Sequence, residues 1–304
     1  FDGYVAAGGT EANIQALWVY RNEFMHNGVA RENIAFLASK DTHYSIYKGA
    51  NLLQVRLETL NVHPNNRVID KDAFEQTILK LKADGIEHLV LVVNMMTTMF
   101  GSVDNPAPLV EIMQKHNMHF RIHIDGAYGG FAYPFFDETP FHLDFSNPHI
   151  SSITVDAHKM VQAPYGTGIF LIRKDLIHNA LTKEAQYVQG LDLTLSGSRS
   201  GANAVSVWMI LQTHGPHGWK EKIHLLSYRS DWLCNALDER DILYYRFPGS
   251  NIVTIKADQI PTKVAEEHGL VPDEHTDTPH WWKIVIMDHV RLDLLEDFIK
   301  DLDK

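Results

Sequence analysis

The stretch SSITVDAHKMVQAPYGTG, residues 151–168, is the part of the sequence on which the rest of the fold depends. It predicts a buried strand at 153–155, which continues through Asp156, His158 and Lys159 into a loop broken by a proline and two glycines. A lysine at the end of a buried strand is poorly placed as a solubilising charge. It is well placed as a desolvated amine that forms a Schiff base with a carbonyl compound. A lysine that only caps a sheet edge remains the alternative.

Strand, polar loop and helix alternate on both sides of this stretch. This alternation predicts a mostly parallel sheet covered by helices on both faces, with ligands bound at the carboxyl ends of the strands. The predicted strands are 34–39, 55–60, 89–94, 120–124 and 168–172, and the predicted helices are 11–24, 46–53, 67–82 and 108–117.

An aspartate closes the apolar segment at 120–124. Asp125 is costly there unless a cation lies opposite it, and a protonated ring nitrogen would serve. Because Asp125 and Lys159 end what read as successive strands, both can reach one ligand. A helix N-cap or turn aspartate is the alternative interpretation.

Two glycines precede the first predicted helix, in the run Gly8-Gly9-Thr10-Glu11. Glycines admit a ligand close to the backbone, and the free N–H groups and dipole of a helix start favour a phosphate. An ordinary tight turn gives the same residues, and the spacing of a nucleotide P-loop is absent.

Composition narrows the class of protein. The 304 residues carry a formal net charge of −11, which argues against nucleic acid or an anionic membrane as the main partner. The single cysteine, Cys234, excludes an intrachain disulfide and favours a reducing compartment. Since no membrane span or signal peptide is recognisable, we expect a cytoplasmic protein. The 18 histidines are scattered without metal-ligand spacing, and we expect no metal site.

A domain boundary is predicted at Gly215-Pro216, between a large domain at 1–215 and a small C-terminal domain at 216–304. The small domain should contain a long helix at 219–238, strands at 251–256 and 282–287 and a closing helix at 292–302. The chain opens almost directly on a functional loop, so an upstream segment is expected to be missing.

Six ordered segments together resemble the group II pyridoxal-phosphate-dependent amino-acid decarboxylases. They are GYVAAGGTEAN at 3–13, DTHYSIYKGA at 41–50, TTMFGSVDN at 97–105, HIDGAYGGF at 123–131, SITVDAHKM at 152–160 and LTLSGSRSGA at 193–202. The first segment is most similar to archaeal tyrosine/aspartate decarboxylases, and the second and last to histidine and serine decarboxylases. The resemblance implies the aspartate-aminotransferase-like α/β fold (PLP fold type I), with a seven-stranded, mostly parallel sheet, a small α+β domain, and a homodimer whose active sites lie at the subunit interface.

The resemblance also implies roles for individual residues. Lys159 would hold pyridoxal phosphate covalently, Asp125 would pair with the ring nitrogen, His43 would stack on the ring, and Tyr187 would donate a proton after loss of carbon dioxide. The implied cofactor-binding set is Gly9, Thr10, His43, Thr98, Asp125, Ala127, Asp156, His158, Lys159 and Ser198. Residues 196–199 would act on the neighbouring subunit's cofactor.

Several positions depart from the family pattern, so the resemblance does not imply a particular amino acid as the substrate. Met96 replaces a common glycine, Ser200 replaces an asparagine, and Asp156 with the following alanine replaces Ser-Gly. An acidic substrate would need a second cation in the cleft, and an aromatic one would need apolar walls such as Phe100 or Tyr133.

Three functions follow from these observations. The leading hypothesis is an enzyme that converts an L-amino acid into its primary amine and carbon dioxide. The first alternative is a carbon–carbon lyase similar to sphingosine-phosphate lyases, and the second is a non-catalytic homologue, which the presence of Lys159 and Asp125 disfavours.

Overall fold

A computed structural model describes residues 1–182, 190–276 and 278–304. Its first part alternates strands and helices as expected. The elements are β1 (Asp2–Ala6), α1 (Gly9–His26), β2 (Ile34–Ser39), α2 (Tyr44–Leu53), β3 (Arg56–Leu60), α3 (Lys71–Ala83), β4 (His88–Asn94), α4 (Ala107–Lys115), β5 (His119–Gly126), β6 (Ile150–Asp156) and β7 (Gly168–Ile172).

These seven strands form one sheet in the order β1-β7-β6-β5-β4-β2-β3. The five strands from β6 to β3 are parallel, whereas β7 and β1 are antiparallel to their neighbours. The predicted class, a mostly parallel seven-stranded α/β sheet, is confirmed. Because β4, β5 and β6 are parallel neighbours, their carboxyl ends meet at one edge, where Asp125 and Asp156 lie.

Helices cover both faces of the sheet, so the strands are apolar on both sides. In β2, Leu37 packs with α3 and α4 on one face, and Phe36 packs with α1 and α2 on the other. On the first face Phe74 of α3 is buried, and on the second Tyr20 of α1 has no exposed surface. This two-sided burial fixes the strand ends that carry the polar residues.

The third helix starts later than its sequence predicts. Arg67 has a left-handed φ of 58° and pairs with the buried carboxylate of Asp41. The helix begins at Lys71, because Asp70 caps it by accepting hydrogen bonds from the N–H groups of Asp72 and Ala73 at 3.0 Å.

The second part of the chain has its own antiparallel sheet and core. Its elements are α5 (Gly201–Asp238), β8 (Tyr244–Tyr245), β9 (Ile252–Lys256), α6 (Thr262–Glu267), β10 (Val271–Pro272), β11 (Trp281–Val285) and α7 (Leu292–Leu302). The four short strands pair in the order β10-β11-β9-β8 and pack against α5 and α7.

The long helix α5 is interrupted at the predicted boundary. Gly215 has a non-helical backbone (φ 62°, ψ 176°) and precedes Pro216. Whether 1–215 and 216–304 act as separate domains stays a prediction. Within the described ranges no helix is both long and apolar enough to cross a membrane.

Candidate active site

A cleft of about 600 Å³ opens at the carboxyl edge of β5 and β6, beside the start of α1. Its walls combine small residues, two aromatic rings and a group of ionisable side chains. It is lined by Ala7, Gly8, Gly9, Thr10, Glu11, Asn13, Ile14, His43, Tyr44, Ala127, Asp156, His158, Lys159, Tyr165, Gly166 and Leu195. The structure therefore brings together most of the residues that the sequence predicted for the cofactor.

Asp156 lies beside Lys159, the lysine that the sequence predicts to be reactive. Its Oδ2 lies 3.3 Å from Nζ of Lys159 and 3.6 Å from Nε2 of His158. Burial raises the pKa of Asp156, and the neighbouring Lys159 and His158 oppose that effect. A third of the Lys159 side chain is exposed. Its amine therefore faces the cleft while it contacts the Asp156 carboxylate.

Asp125 is almost completely buried at the end of β5. Its Oδ1 accepts a hydrogen bond from the N–H of Ala127 (3.1 Å), and its Oδ2 accepts one from the amide of Asn13 (2.8 Å). Donors at both oxygens hold the carboxylate in a fixed orientation. Asp125 is therefore a buried, oriented acceptor to which the N–H of a protonated ring nitrogen could donate.

His43 stands at the N-cap of α2. Its Nδ1 lies 2.9 Å from Oγ of Ser45 and accepts from the Ser45 N–H at 3.3 Å. Burial lowers the pKa of His43, an effect that the charges of Asp125 and Asp156 oppose. A neutral imidazole held at its Nδ1 leaves a ring face for stacking against a planar ligand.

The start of α1 forms the other end of the cleft. Gly8 is the N-cap with φ 150° and makes no side-chain cap, so the first N–H groups of the helix lack that partner. A Cβ at Gly9 would lie 2.7 Å from Oδ2 of Asp156 and 3.1 Å from Cβ of Ala127. Only glycine therefore leaves room for the close packing of the helix start against Asp156 and Ala127. The next residue, Thr10, lines the wall of the cleft.

The residues present fit pyridoxal phosphate. The helix start suits a phosphate, and Asp156 Oδ1 and His158 Nδ1 are buried polar atoms without a hydrogen-bond partner among the described residues. His158 Nδ1 could donate to a phosphate here when it carries the ring hydrogen, whereas Asp156 Oδ1 is an acceptor and needs a donor group of the ligand.

A narrower recess adjoins the cleft on the side of β4. It shares His43, Ala127 and Lys159 with the cleft and adds Asn94, Met96, Thr97, Thr98, Asp125 and Tyr128. Thr98 thus lines the same recess as Lys159, and its predicted role in cofactor binding stays a prediction. Tyr128 was not predicted; its hydroxyl accepts from the amide of Asn251 at 2.8 Å, which ties the recess to β9.

Two predicted residues lie elsewhere. Ser198 lines a separate cavity with Tyr4 and Arg199, whose guanidinium lies 4.5 Å from the Tyr4 ring centroid. Tyr187 lies outside the described residues, so its role stays a prediction. Among the described residues, neither Phe100 nor Tyr133 lines the cleft, and the aromatic walls are instead Tyr44 and Tyr165.

Sequence reasoning did not identify Asn13 and Ser45 as part of the site. Asn13 is buried on the apolar side of α1, next to Ile14 and one turn before Leu17. A polar residue on the buried face of an amphipathic helix was the available signal, because such a group needs a partner in the core.

Comparisons with known proteins agree with this geometry. The family model described as "Pyridoxal-dependent decarboxylase conserved domain" matches residues 2–240. A tryptophan decarboxylase of Clostridium sporogenes is 51% identical over 305 residues, covering 100% of this chain and 73% of that protein. A probable L-tyrosine/L-aspartate decarboxylase of Methanocella arvoryzae is 32% identical, covering 99% of this chain and 78% of that protein.

Solved structures share the fold at low sequence identity. An L-methionine decarboxylase from Streptomyces sp. 590 has a TM-score of 0.82 at 20% identity, covering 99% of this chain and 77% of that one. The sphingosine-1-phosphate lyase Bpss2021 of Burkholderia pseudomallei has a TM-score of 0.84, also at 20% identity, covering 99% and 69%. Because the decarboxylase and the lyase match equally well, these similarities establish the fold and leave the reaction to the sequence relatives.

Proposed function

Since the chain belongs to the pyridoxal-dependent decarboxylase family and decarboxylates an amino acid with pyridoxal phosphate, we propose that its substrate is tryptophan or a similarly large aromatic amino acid. The observation that carries this proposal is the 51% identity to a tryptophan decarboxylase over the whole chain. An indole side chain suits a cleft of this size with aromatic and apolar walls.

The charges in the cleft argue against an acidic substrate. A side-chain carboxylate needs a cation of its own in a desolvated site. Among the described lining residues Lys159 is the single lysine or arginine, and it faces Asp156. Aspartate would therefore meet Glu11 and Asp156 without a free cation.

Bound pyridoxal phosphate supplies a ring that accepts the electron pair left at Cα when carbon dioxide departs. We assign the binding of that cofactor to three groups of residues. Lys159 attaches it, Asp125 holds a proton at its ring nitrogen, and Gly9 and Thr10 bind its phosphate together with His158. These assignments rest on the positions of the residues around the cleft and, for Asp125, in the recess that adjoins it.

Other residues of the proposed site orient and enclose the ligands. His43 would stack on the ring and exclude water there, Ala127 would pack against the ring, and Thr98 would bind at the recess. We keep Tyr187 as the proton donor to Cα of the product.

We further propose a homodimer in the cytoplasm. Tyr44, Tyr165 and Leu195 line the cleft and are exposed, Tyr165 by 88%. On α5, Trp208 and Met209 also expose more than half of their surface. Such an apolar surface is typical of an interface, and a second copy would bring its Ser198 toward this cleft.

The substrate proposal is tested by an amino-acid panel scored for carbon dioxide and for amine. We expect tryptophan to have the highest kcat/KM, with aspartate and histidine at least about a hundred-fold lower. A faster reaction with either of these would overturn the proposed substrate. Release of an aldehyde in place of carbon dioxide would overturn the decarboxylase.

The dimer is tested by sedimentation and by mixing subunits. Lys159→Ala and Ser198→Ala chains are each expected to be weakly active, and a co-refolded mixture should recover activity, because one of its two sites is intact. A monomer at micromolar concentration would contradict the proposal.

A further inference from the structure

Asn13 connects the two residues that face the planar part of the proposed ligand. Its side chain is 1% exposed, and its amide nitrogen donates to Oδ2 of Asp125 at 2.8 Å and to Oγ of Ser45 at 2.9 Å. Both hydrogens of the amide are therefore used. One branch ends on Asp125, and the other reaches His43 through Ser45.

The orientation of this amide follows from its partners. A flipped amide would place its oxygen 2.8 Å from the ionised carboxylate of Asp125, where two acceptors repel each other. In the orientation with nitrogen toward Asp125, Oδ1 of Asn13 faces Nε2 of His123 at 3.0 Å. His123 must then carry its proton on Nε2 and donate it.

The rest of the chain of hydrogen bonds is now directed. Burial lowers the pKa of His123 to about 4, so the ring is neutral at pH 7 and its Nδ1 is an acceptor. Ser152 Oγ lies 2.7 Å from that nitrogen and donates to it, while Tyr20 donates to Ser152 at 2.6 Å. Tyr20, His123 and Ser152 have no exposed surface, so water does not compete.

The second branch sets the proton on His43. Because Ser45 Oγ accepts from Asn13, its own hydrogen is free for Nδ1 of His43. The backbone N–H of Ser45 also points to this Nδ1. A nitrogen that receives two donors is unprotonated, so neutral His43 carries its hydrogen on Nε2.

We propose that Asn13 is a positioning residue for the decarboxylation: it joins Asp125 and His43 to one branched hydrogen-bond chain that runs from Tyr20 and directs its hydrogens along one branch to the Asp125 carboxylate and along the other to Nδ1 of His43. The chain holds Asp125 in place as an acceptor and keeps His43 in its Nε2–H form. The proposal rests on the proposed roles of Asp125 and His43, but the hydrogen-bond chain itself exists without the cofactor.

The first test uses the wild-type protein, with and without pyridoxal phosphate. Nitrogen-15 NMR of histidine-labelled protein reports which ring nitrogen carries hydrogen, with His123→Gln and His43→Gln used to assign the signals. At pH 7 we expect His123 to be in the Nε2–H form both with and without cofactor. We expect the Nε2–H form for His43 as well. A proton on Nδ1 of His123, or a charged His123 ring, would overturn the chain.

The second test compares Asn13→Leu with Gln15→Met. Both remove a buried amide of α1, but Gln15 donates to the Leu193 carbonyl and accepts from Tyr4, away from Asp125. In cofactor-free Asn13→Leu we expect the carbon-13 signal of the Asp125 carboxyl group to move from its wild-type position, since Oδ2 loses a donor. We expect His43 to give mixed tautomers.

The bound cofactor gives an independent readout in the same variants. The ring nitrogen of labelled pyridoxal phosphate should lose its proton at a different pH in Asn13→Leu, because its carboxylate partner has lost a fixed donor, and should behave as wild type in Gln15→Met. An unchanged Asp125 carboxyl signal and an unchanged His43 form in Asn13→Leu would refute the proposal, even if turnover fell. If Asn13→Leu does not fold, the wild-type tautomers still decide. Asp125 and His43 could change as predicted in Asn13→Leu while the protonation of the ring nitrogen stays as in wild type. That result would contradict the assignment of Asp125 to the cofactor ring and would still support the hydrogen-bond chain.

Discussion

The side-chain nitrogen of Lys159 lies 3.3 Å from Oδ2 of Asp156, the carboxylate that closes β6 three residues earlier. Asp156 is buried and reaches His158 as well, so the lysine is held at the base of the cleft by a fixed partner. This arrangement places one amine beside the glycines at the start of α1. It makes Lys159 the residue whose loss should be most damaging.

Lys159→Ala should reduce turnover by at least about a thousand-fold, because no other amine lines the described part of the cleft. Borohydride treatment of wild-type protein, followed by peptide mapping, should attach the cofactor at Lys159. Circular dichroism should be unchanged in the variant, since Asp156 keeps His158 as a partner. The control is Lys174→Ala at an exposed lysine. Activity above a tenth of wild type would remove Lys159 from the mechanism.

Gly9→Ala should weaken cofactor binding about ten- to a hundred-fold. The new Cβ would lie 2.7 Å from Asp156 Oδ2, so either the carboxylate or the helix start must move. Absorbance titration of cofactor-free protein with pyridoxal phosphate measures the dissociation constant. Gly218→Ala is the matched control, because its Cβ would meet only Cβ of His214 at an ordinary 3.6 Å. Equal affinities in the two variants would show that the close packing of Gly9 against Asp156 does not matter for cofactor binding.

The strand ends were predictable from sequence because local patterns determine them. The bounds of β2 and β7 agree with the prediction, and Asp125 and Lys159 follow strands that the structure places side by side. A strand that is buried on both faces must be apolar along its whole length, and its ends are marked by glycine or polar residues. Both features can be read from a single sequence. The position of a polar side chain at the end of such a strand follows from parallel topology alone.

The hydrogen-bond partners within the site were not predictable in this way. Asn13 and Asp125 are 112 residues apart, and their contact depends on how α1 packs on the sheet. The start of α3 was placed too early because the left-handed backbone at Arg67 depends on its buried pairing with Asp41. Tertiary contacts of this kind override local propensity.

Met96 shows how a departure from the family pattern is accommodated. Its φ is 70°, a left-handed conformation that favours glycine, yet its side chain is buried in the core. Met96→Gly should relieve about 1 kcal/mol of backbone strain and lose about 2–5 kcal/mol of buried side chain. The variant should therefore be less stable by about 1–4 kcal/mol in urea unfolding.

A volume-conserving control separates the two effects at this position. Met96→Leu keeps the strain and most of the volume, so its free energy of unfolding should lie within about 1.5 kcal/mol of wild type. A more stable Met96→Gly would mean that strain outweighs packing there.

Asp104 should make stability depend on pH next to the site. Burial raises its pKa to about 6, although it accepts hydrogen bonds from the backbone and side chain of Asn94. The folded carboxyl thus binds its proton more tightly than the unfolded one, whose pKa is 3.8. Asp104 therefore lowers the free energy of unfolding at high pH. This loss of stability is absent below pH 3.8 and grows as the pH rises to 6, where it reaches about 3 kcal/mol.

Asp104→Asn removes this penalty and keeps an oxygen acceptor for Asn94. We expect the variant to exceed wild type by roughly 1–3 kcal/mol in urea unfolding at pH 7, and to match it near pH 4. Asp258→Asn, at an exposed aspartate, should show no such difference between the two pH values. If wild type and Asp104→Asn differ by the same amount at both pH values, Asp104 does not titrate in this range and its carboxyl is better solvated than its burial indicates.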